Sequence, residues 1–263
     1  MPVGFCHGQI CGEHPRAKLV QVPCQVVSLQ TTGWGRTVIL AQLPHQGSKE
    51  FGLADGGSFR QLYEMLALDF LYSEPNNLVT FPDNHDMSRF FTQVNEDMNL
   101  FKMGIAYTLT MRGIPQIYYG TEVLMKNPGT TDHGVIRSDY PGGWAGDKVN
   151  AFTGAGLSEA QLDAQAFIKK LMNWRKDKQV IHTGELMHFV PQDEVYVYFR
   201  YNEQEKVMVV MNKNKNAHSL QLDRFAEMLE GVQSGMDVLS GKKYNFEEKL
   251  DVPAHSVLIL EVY

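Results

Sequence analysis

The sequence predicts parallel β/α units followed by an all-antiparallel β domain. Two observations predict it. Residues 58–177 run helix, strand, helix, strand, long loop, helix, which is the order that builds a parallel sheet. From His182 the texture switches to short strands and turns to the C-terminal Tyr263, as in an antiparallel sandwich.

Each element has a local reason. In "SFRQLYEMLALDFLY" (58–72), Phe59, Leu62, Met65, Leu66 and Phe70 recur at helical spacing behind the N-cap candidate Ser58. "SEPNN" is a turn, and "LVTF" (78–81) is a short apolar strand ending at Pro82. "EDMNLFKMGIAYTLTMR" (96–112) is a second helix, with acids in its first turn and Arg112 in its last, as the helix dipole favours. Gly113 closes it, and "IPQIYYG" (114–120) is another apolar strand. A Gly/Pro/Asp-rich loop runs from Thr121 to about Gly156. "LSEAQLDAQAFIKKLMNWRKD" (157–177) is a third helix. Its capping box is Ser158 with Gln161, and its apolar face is Leu162, Phe167, Leu171 and Trp174. The β domain is read from "ELMHFV", "VYVYFRYN", "KVMVVMNK", "HSLQL", "MDVLSGK" and "SVLILEVY". The expected divisions are residues 1–54, 55–180 and 181–263.

Residues 1–54 do not share this patterning. Asp is absent there, charges are sparse, and only "LVQVPCQVVSL" could form a strand, broken by a proline. Two readings stay open: a loop-rich region, or a segment not native to the fold, such as a shifted reading frame joined to a genuine one. The second is the favoured expectation. Cys6, His7, Cys11 and His14 contain a C-x4-C pair, but the histidines lack zinc-site spacing and no second half follows. Free thiols, and no metal, are expected.

Bulk properties narrow the function. The 263 residues are 43% hydrophobic and 21% charged, ordinary for a globular protein. A net charge of −6 without a basic stripe argues against nucleic acid or an anionic membrane as partner. No long apolar run is present, and the N-terminus lacks the charged and apolar regions of a secretory signal. No G-x-G-x-x-G or P-loop follows either parallel strand, so no nucleotide cofactor is implied.

The chemistry concentrates in "TFPDNHDMSRFF", Thr80 to Phe91. In parallel β/α architectures, reactive groups sit past the C-terminal ends of strands. Asn84, His85 and Asp86 occupy that position after 78–81, with Arg89 three residues on. Tyr119, Gly120 and Glu122 occupy it after 114–120. A carboxylate beside an imidazole can bind hydroxyls, orient a sugar or stabilise a developing cation. Asp83 reads as a turn cap.

"FPDNHD" resembles the F-x-x-N-H-D segment after the seventh barrel strand of the α-amylase family of glycoside hydrolases. "GIPQIYYGTE" resembles that family's eighth-strand segment. "IRSDYPGGW" and "LYEMLALDFLY…NLVTFPDNHDMSRFF" are similar to its neopullulanases and cyclomaltodextrinases, and "VPAHSVLILEVY" resembles its last C-terminal strand. The resemblance covers about Asp55 to Tyr263. It implies the last quarter of a (β/α)8 TIM barrel followed by a C-terminal antiparallel β-sandwich, acting on α-glucan oligosaccharides or polysaccharides.

Carried over by position, Asp86 matches the family's transition-state-stabilising carboxylate, and His85 matches the histidine on the same sugar. Asn84 supports them, and Arg89 joins the sugar-binding set. Asp132 and Arg137 fall where the family has an acid/arginine pair on a neighbouring sugar, the other reading being a structural ion pair. Trp144 could stack on a sugar or anchor its loop. Glu122 is expected in a structural or hydrogen-bonding role, with Tyr118 and Tyr119 packed in the barrel. Calcium occurs in the full-length family, but this sequence gives it no support. The full-length protein would be cytoplasmic or periplasmic.

Retaining glycoside hydrolysis also needs a nucleophile and an acid/base. The family's nucleophile motif, G-x-R-x-D, is not found upstream of Asp86. Glu13 and Glu50 are the acids before Asp55, and neither follows a convincing strand. Arg137-Ser138-Asp139 has the R-x-D letters in the wrong place and without the glycine. The expectation is a chain without hydrolytic activity alone, or a non-catalytic carbohydrate-binding remnant.

Overall fold

The computed structural model describes residue 53 and residues 57–263, together with the backbone of two earlier strands, β1 (Val26–Thr31) and β2 (Thr37–Ala41). The Cys6–His14 cluster lies outside the described residues. The strands β1 and β2 pair antiparallel, and β2 then runs parallel to β3 (Leu78–Thr80). The pattern in this part of the sequence suggested one strand at most; the structure has two, and β2 lengthens the parallel sheet.

Helix α1 (Phe59–Leu66) starts as expected: Ser58 Oγ accepts from Arg60 N at 3.2 Å, and Phe59, Leu62 and Leu66 are buried. It stops earlier than the periodicity suggests. A tight turn at Asp69–Leu71 follows, where Asp69 Oδ2 accepts from Arg112 Nε at 2.7 Å. The turn leaves Phe70 78% exposed instead of on an apolar face. After β3 come α2 (Phe90–Gln93) and α3 (Met98–Thr110). Asp97 caps α3 by accepting from Asn99 N and Leu100 N at 2.8 and 3.0 Å. Arg112 lies beyond the helix end and is committed to Asp69, so it does not serve the α3 dipole.

Strand β4 (Ile114–Pro115) is much shorter than the expected 114–120. Its register is Val79 to Ile114 and Thr80 to Pro115, and Gln116 N adds one bond to Thr80 O at 2.8 Å. Beyond that the chain turns, Thr121 N bonding back to Tyr118 O. Gly113 sets the entry. Its φ is +108°, and a Cβ there would lie 2.6 Å from Leu78 O. The resulting sheet has the order β1-β2-β3-β4.

Helix α4 (His133–Ile136) is one turn in the long loop, and α5 (Glu159–Lys176) carries the expected capping box. The α5 face that packs is Ala164, Ile168 and Leu171; Leu162 is 42% exposed, one step off it. After α6 (Gln179–Thr183) the chain becomes β: β5 (Glu185–His188), β6 (Val195–Tyr201), β7 (Lys206–Asn212), β8 (His218–Gln221), helix α7 (Ala226–Leu229), β9 (Ser234–Asp237), β10 (Lys243–Asn245), β11 (Lys249–Val252) and β12 (Ser256–Val262). The β10 and β11 strands are polar and short, and the apolar pattern did not show them. Six strands form an antiparallel sheet, β10-β9-β12-β7-β6-β5, and β8 pairs with β11.

Period-two alternation explains why this sheet is buried on both faces. Tyr196, Tyr198, Val207, Val209, Met211 and Ile259 point to the side where α3 and α5 lie, in one core with Phe101, Ile105, Leu109 and Leu171. Val195, Val197, Phe199, Met208, Val210, Leu258 and Leu260 point to the other, against Leu220, Phe225, Met228 and Leu250. No helix among the described residues is long and apolar enough to cross a membrane.

Candidate functional site

Strands β3 and β4 run parallel, so their C-terminal ends share one edge of the sheet. The loops leaving that edge carry the polar groups. The first, Asp83, is fully buried. Its Oδ2 accepts from Phe90 N at 2.8 Å, and Thr121 Oγ1 donates to both carboxylate oxygens at 3.1 Å. Burial pushes its pKa up to about 6. The Phe90 and Thr121 bonds and the Arg89 charge pull the other way, and Glu122 adds to the rise.

Arg89 is fully buried too. Its Nε donates to Ile136 O at 2.8 Å and its Nη1 to Tyr119 O, and its backbone N–H donates to Asn127 Oδ1 at 2.7 Å. The guanidinium lies 4.3 Å from the Tyr118 ring centre and 4.7 Å from that of Tyr119. Arg89 therefore ties the loop after β4 to the loop after β3.

The exposed cluster stands on this base. Asn84 Oδ1 accepts from Asp86 N at 2.8 Å, a local turn that fixes the Asp86 backbone. The Asp86 side chain is 57% exposed. His85 Nε2 lies 3.1 Å from its Oδ2, and Arg137 Nη2 donates to its Oδ1 at 2.9 Å. Arg137 Nε also donates to His85 O at 3.0 Å. His133 Nδ1 is 2.7 Å from Arg137 Nη2 and 4.0 Å from Asp86 Oδ1. Asp86 thus faces solvent with nitrogen-bearing side chains at both oxygens. A group so placed can accept from sugar hydroxyls and strengthen its hold as positive charge develops on a ring.

The structure brings Asn84, His85, Asp86 and Arg137 together. It does not bring Arg89 to that surface, because the side chain is fully buried and its Nε and Nη1 donate to the carbonyls of Ile136 and Tyr119. Nor does it pair Asp132 with Arg137. Asp132 caps α4, its Oδ1 accepting from Gly134 N at 2.6 Å, while Arg137 turns to Asp86. His133 was missed by the sequence reading. The available signal was its i, i+4 spacing to Arg137 in "DHGVIR". Asp83 does what its turn-cap reading suggested, closing on Phe90 N. The rings of Tyr118 and Tyr119 lie 4.6 Å apart, with Tyr119 39% exposed and its hydroxyl donating to Ser138 O at 2.8 Å. Among the described residues, no group of three or more His, Cys, Asp or Glu is arranged to hold a metal ion.

A cluster of this kind lies past the C-terminal ends of parallel strands, where β/α folds carry their reactive groups. Residues 48–222 match the alpha amylase catalytic domain, and residues 186–261 match the cyclo-malto-dextrinase C-terminal domain. The chain belongs to the α-amylase family of glycoside hydrolases. The cyclomaltodextrin glucanotransferase of Niallia circulans is 31% identical over 177 residues, 64% of this chain and 22% of that protein. The chain thus spans about a fifth of the length of the curated relatives it matches. The gamma-cyclomaltodextrin glucanotransferase of Bacillus clarkii superposes with a TM-score of 0.61 at 26% identity, over 82% of this chain and 31% of that one. The α-amylase of Geobacillus thermoleovorans, solved with acarbose, shares the fold at a TM-score of 0.63 and 19% identity, over 82% and 46%.

Proposed function

We propose that this chain is the last quarter of a (β/α)8 barrel with its C-terminal β-sandwich, from an enzyme that cleaves or transfers α-glucan chains. Asp86 is the carboxylate that tightens on a distorted glucose ring. His85 and Arg137 contact the same or the neighbouring sugar, Asn84 holds the loop, and Arg89 and Asp132 act as braces. Linear maltooligosaccharides and cyclodextrins are the substrate class, in keeping with the cyclomaltodextrin-active relatives.

One observation carries the reading: Asp86 is exposed at the strand edge and flanked by His85, His133 and Arg137. The same observation limits it. The ionisable partners of Asp86 among the described residues are His and Arg, whereas retaining hydrolysis needs two carboxyl groups about 5–5.5 Å apart. The nucleophile and acid/base are therefore assigned to barrel strands outside this chain, and the chain is inactive by itself.

A second reading, a non-catalytic carbohydrate-binding remnant, draws on the shared core of α3, α5 and the six-stranded sheet. Such a core can hold Asp86 in place without further barrel strands. One set of measurements tests both. The purified chain is assayed for hydrolysis of pullulan, cyclodextrin and starch, for maltotriose binding, and for its hydrodynamic state. Turnover that is abolished by Asp86→Ala sinks the incomplete-site reading. A monodisperse chain that binds maltotriose without turnover favours the binding remnant.

A further inference from the structure

We propose that the loop 138–156 carries a second α-glucan contact, an aromatic platform of Tyr140, Trp144 and Phe152 that stacks on a glucose ring beyond the one at Asp86. The proposal rests on the Asp86 reading for the identity of the ligand and stands on separate residues.

The first observation is what the aromatic rings do not do. Trp144 is 67% exposed and Phe152 is 74% exposed. A tryptophan that anchors a loop buries its indole, and this one does not. The loop is held together by other groups. Asp147 Oδ2 accepts from Gly142 N at 2.8 Å and from Trp144 N at 3.2 Å. Asn150 Oδ1 accepts from Phe152 N and Thr153 N at 3.0 and 3.1 Å, and Ala151 N donates to Pro141 O at 3.0 Å. Gly142, at φ +93°, lets the turn close: a Cβ there would lie 2.7 Å from the Asn150 Cα. The loop is thus ordered by its polar groups while two of its largest apolar side chains face solvent. Exposed aromatics on a pre-ordered loop mark a contact surface.

The second observation is the arrangement. The Tyr140 and Phe152 rings lie 5.0 Å apart at 57°, so they form one continuous surface. The Tyr140 hydroxyl is bonded to Glu122, which fixes that ring to the loop after β4. A glucose ring with equatorial hydroxyls presents an apolar face of axial C–H bonds. That face matches flat aromatic carbon, and the ring hydroxyls stay free for water and for nearby polar groups such as Asp139 and Lys148, both exposed.

The third observation is continuity. Arg137, which holds Asp86, is three residues before Tyr140, and the residue between Asp139 and Arg137, Ser138, accepts from the Tyr119 hydroxyl. The platform is therefore an outgrowth of the same strand edge as the Asp86 cluster, and the ligand it suits is a glucan of several glucose units that continues past that cluster. A single glucose or a short oligomer held at Asp86 does not need it.

The test is calorimetric titration of the 263-residue chain with maltotriose and with maltoheptaose. Trp144→Ala combined with Phe152→Ala should weaken maltoheptaose binding at least about fivefold, the scale of a lost aromatic stacking contact, and leave maltotriose within about twofold. Trp144→Phe with Phe152→Tyr should restore most of the loss. Unchanged thermal midpoints establish that these surface variants fold. Unchanged maltoheptaose binding in the alanine double variant overturns the proposal, as does an effect equal for both sugars. Loss of self-association in that variant with glucan binding intact overturns it too, reassigning the patch to a second copy. Asp86→Ala separates the two readings. If it leaves maltotriose untouched while the alanine double variant still weakens maltoheptaose, the Asp86 reading falls and the platform stands. If the parent chain binds neither sugar, the platform proposal falls.

Discussion

The two main sheets differ in how they are finished. The six-stranded sheet is covered on both faces: helices α3 and α5 lie on one side, and the β8–β11 pair with α7 on the other. Its apolar side chains alternate between the two cores, with Arg200, Asn212 and Asp237 among the few polar groups buried with them. The four-stranded sheet ends at β4, two residues long, with Ile114 46% exposed. The space past its strand ends is filled by charged and polar groups: Asp83, Arg89, Thr121 and Asn127 below, His85, Asp86 and Arg137 above. The comparison teaches that stability and chemistry are held in separate places. The antiparallel sheet supplies the apolar burial. The parallel edge uses buried polar groups to aim a few exposed ones.

That separation can be broken by mutation, and the expected effects fall in a clear order. Phe199→Ala empties a fully buried site packed by Phe189 and Phe225, and should cost about 3–5 kcal/mol in urea unfolding. A cost below about 1 kcal/mol would show that the sheet is not the main source of stability. Gly113→Ala forces a side chain to φ +108° against Leu78 O, and should cost about 2–3 kcal/mol while disordering the site loops. Its signature would be loss of sugar binding together with a lowered melting point.

Asp83 gives a pH test. Its carboxyl has a folded pKa raised to about 6 from an ordinary 3.8, so the folded state holds this proton more tightly than the unfolded one. The stability it contributes is full below about pH 3.8 and is lost as pH rises through about 6, on the order of 3 kcal/mol. Asp83→Asn keeps an oxygen for Phe90 N and should flatten that slope relative to the parent. Matching pH–stability curves for the two proteins would rule out the titration. Ser158→Ala removes the α5 cap and should cost about 1 kcal/mol by thermal unfolding, with sugar binding intact. Smallest of all, Arg137→Met should change stability by less than about 0.5 kcal/mol, because its ion pair with Asp86 is exposed. It should nonetheless abolish detectable maltotriose binding. A large stability loss there would collapse the distinction between scaffold and site.

The degree to which the sequence foretold the molecule follows the same division. The α5 capping box, the start of α1 and the long apolar strands were legible because each rests on local spacing. Legibility failed where a distant partner decided the outcome. Arg112 looked like a helix-terminal charge, but Asp69, 43 residues away, claims it. Arg89 looked like part of the exposed cluster because it is three residues from Asp86; the carbonyls of Tyr119 and Ile136 draw it inward. Asp132 and Arg137 were expected as a pair from the family's pattern, yet a helix cap takes one and Asp86 the other. Strand β4 looked longer because its apolar letters continue through a turn. The β1–β2 hairpin joins the parallel sheet without an apolar signature strong enough to announce it.

The core that α3 and α5 share with Tyr196, Tyr198, Val209 and Ile259 bears on how such a chain can be inherited. A change of texture near residue 182 invites the idea of a detachable module that recombination could exchange for another. The helices use the sheet as their floor, so a crossover at that seam would expose both surfaces at once. Gene exchange that preserves folding must carry α3, α5 and the sheet as one cargo. A protease cutting in the short α6–β5 linker would likewise leave two nicked pieces that stay together and co-elute.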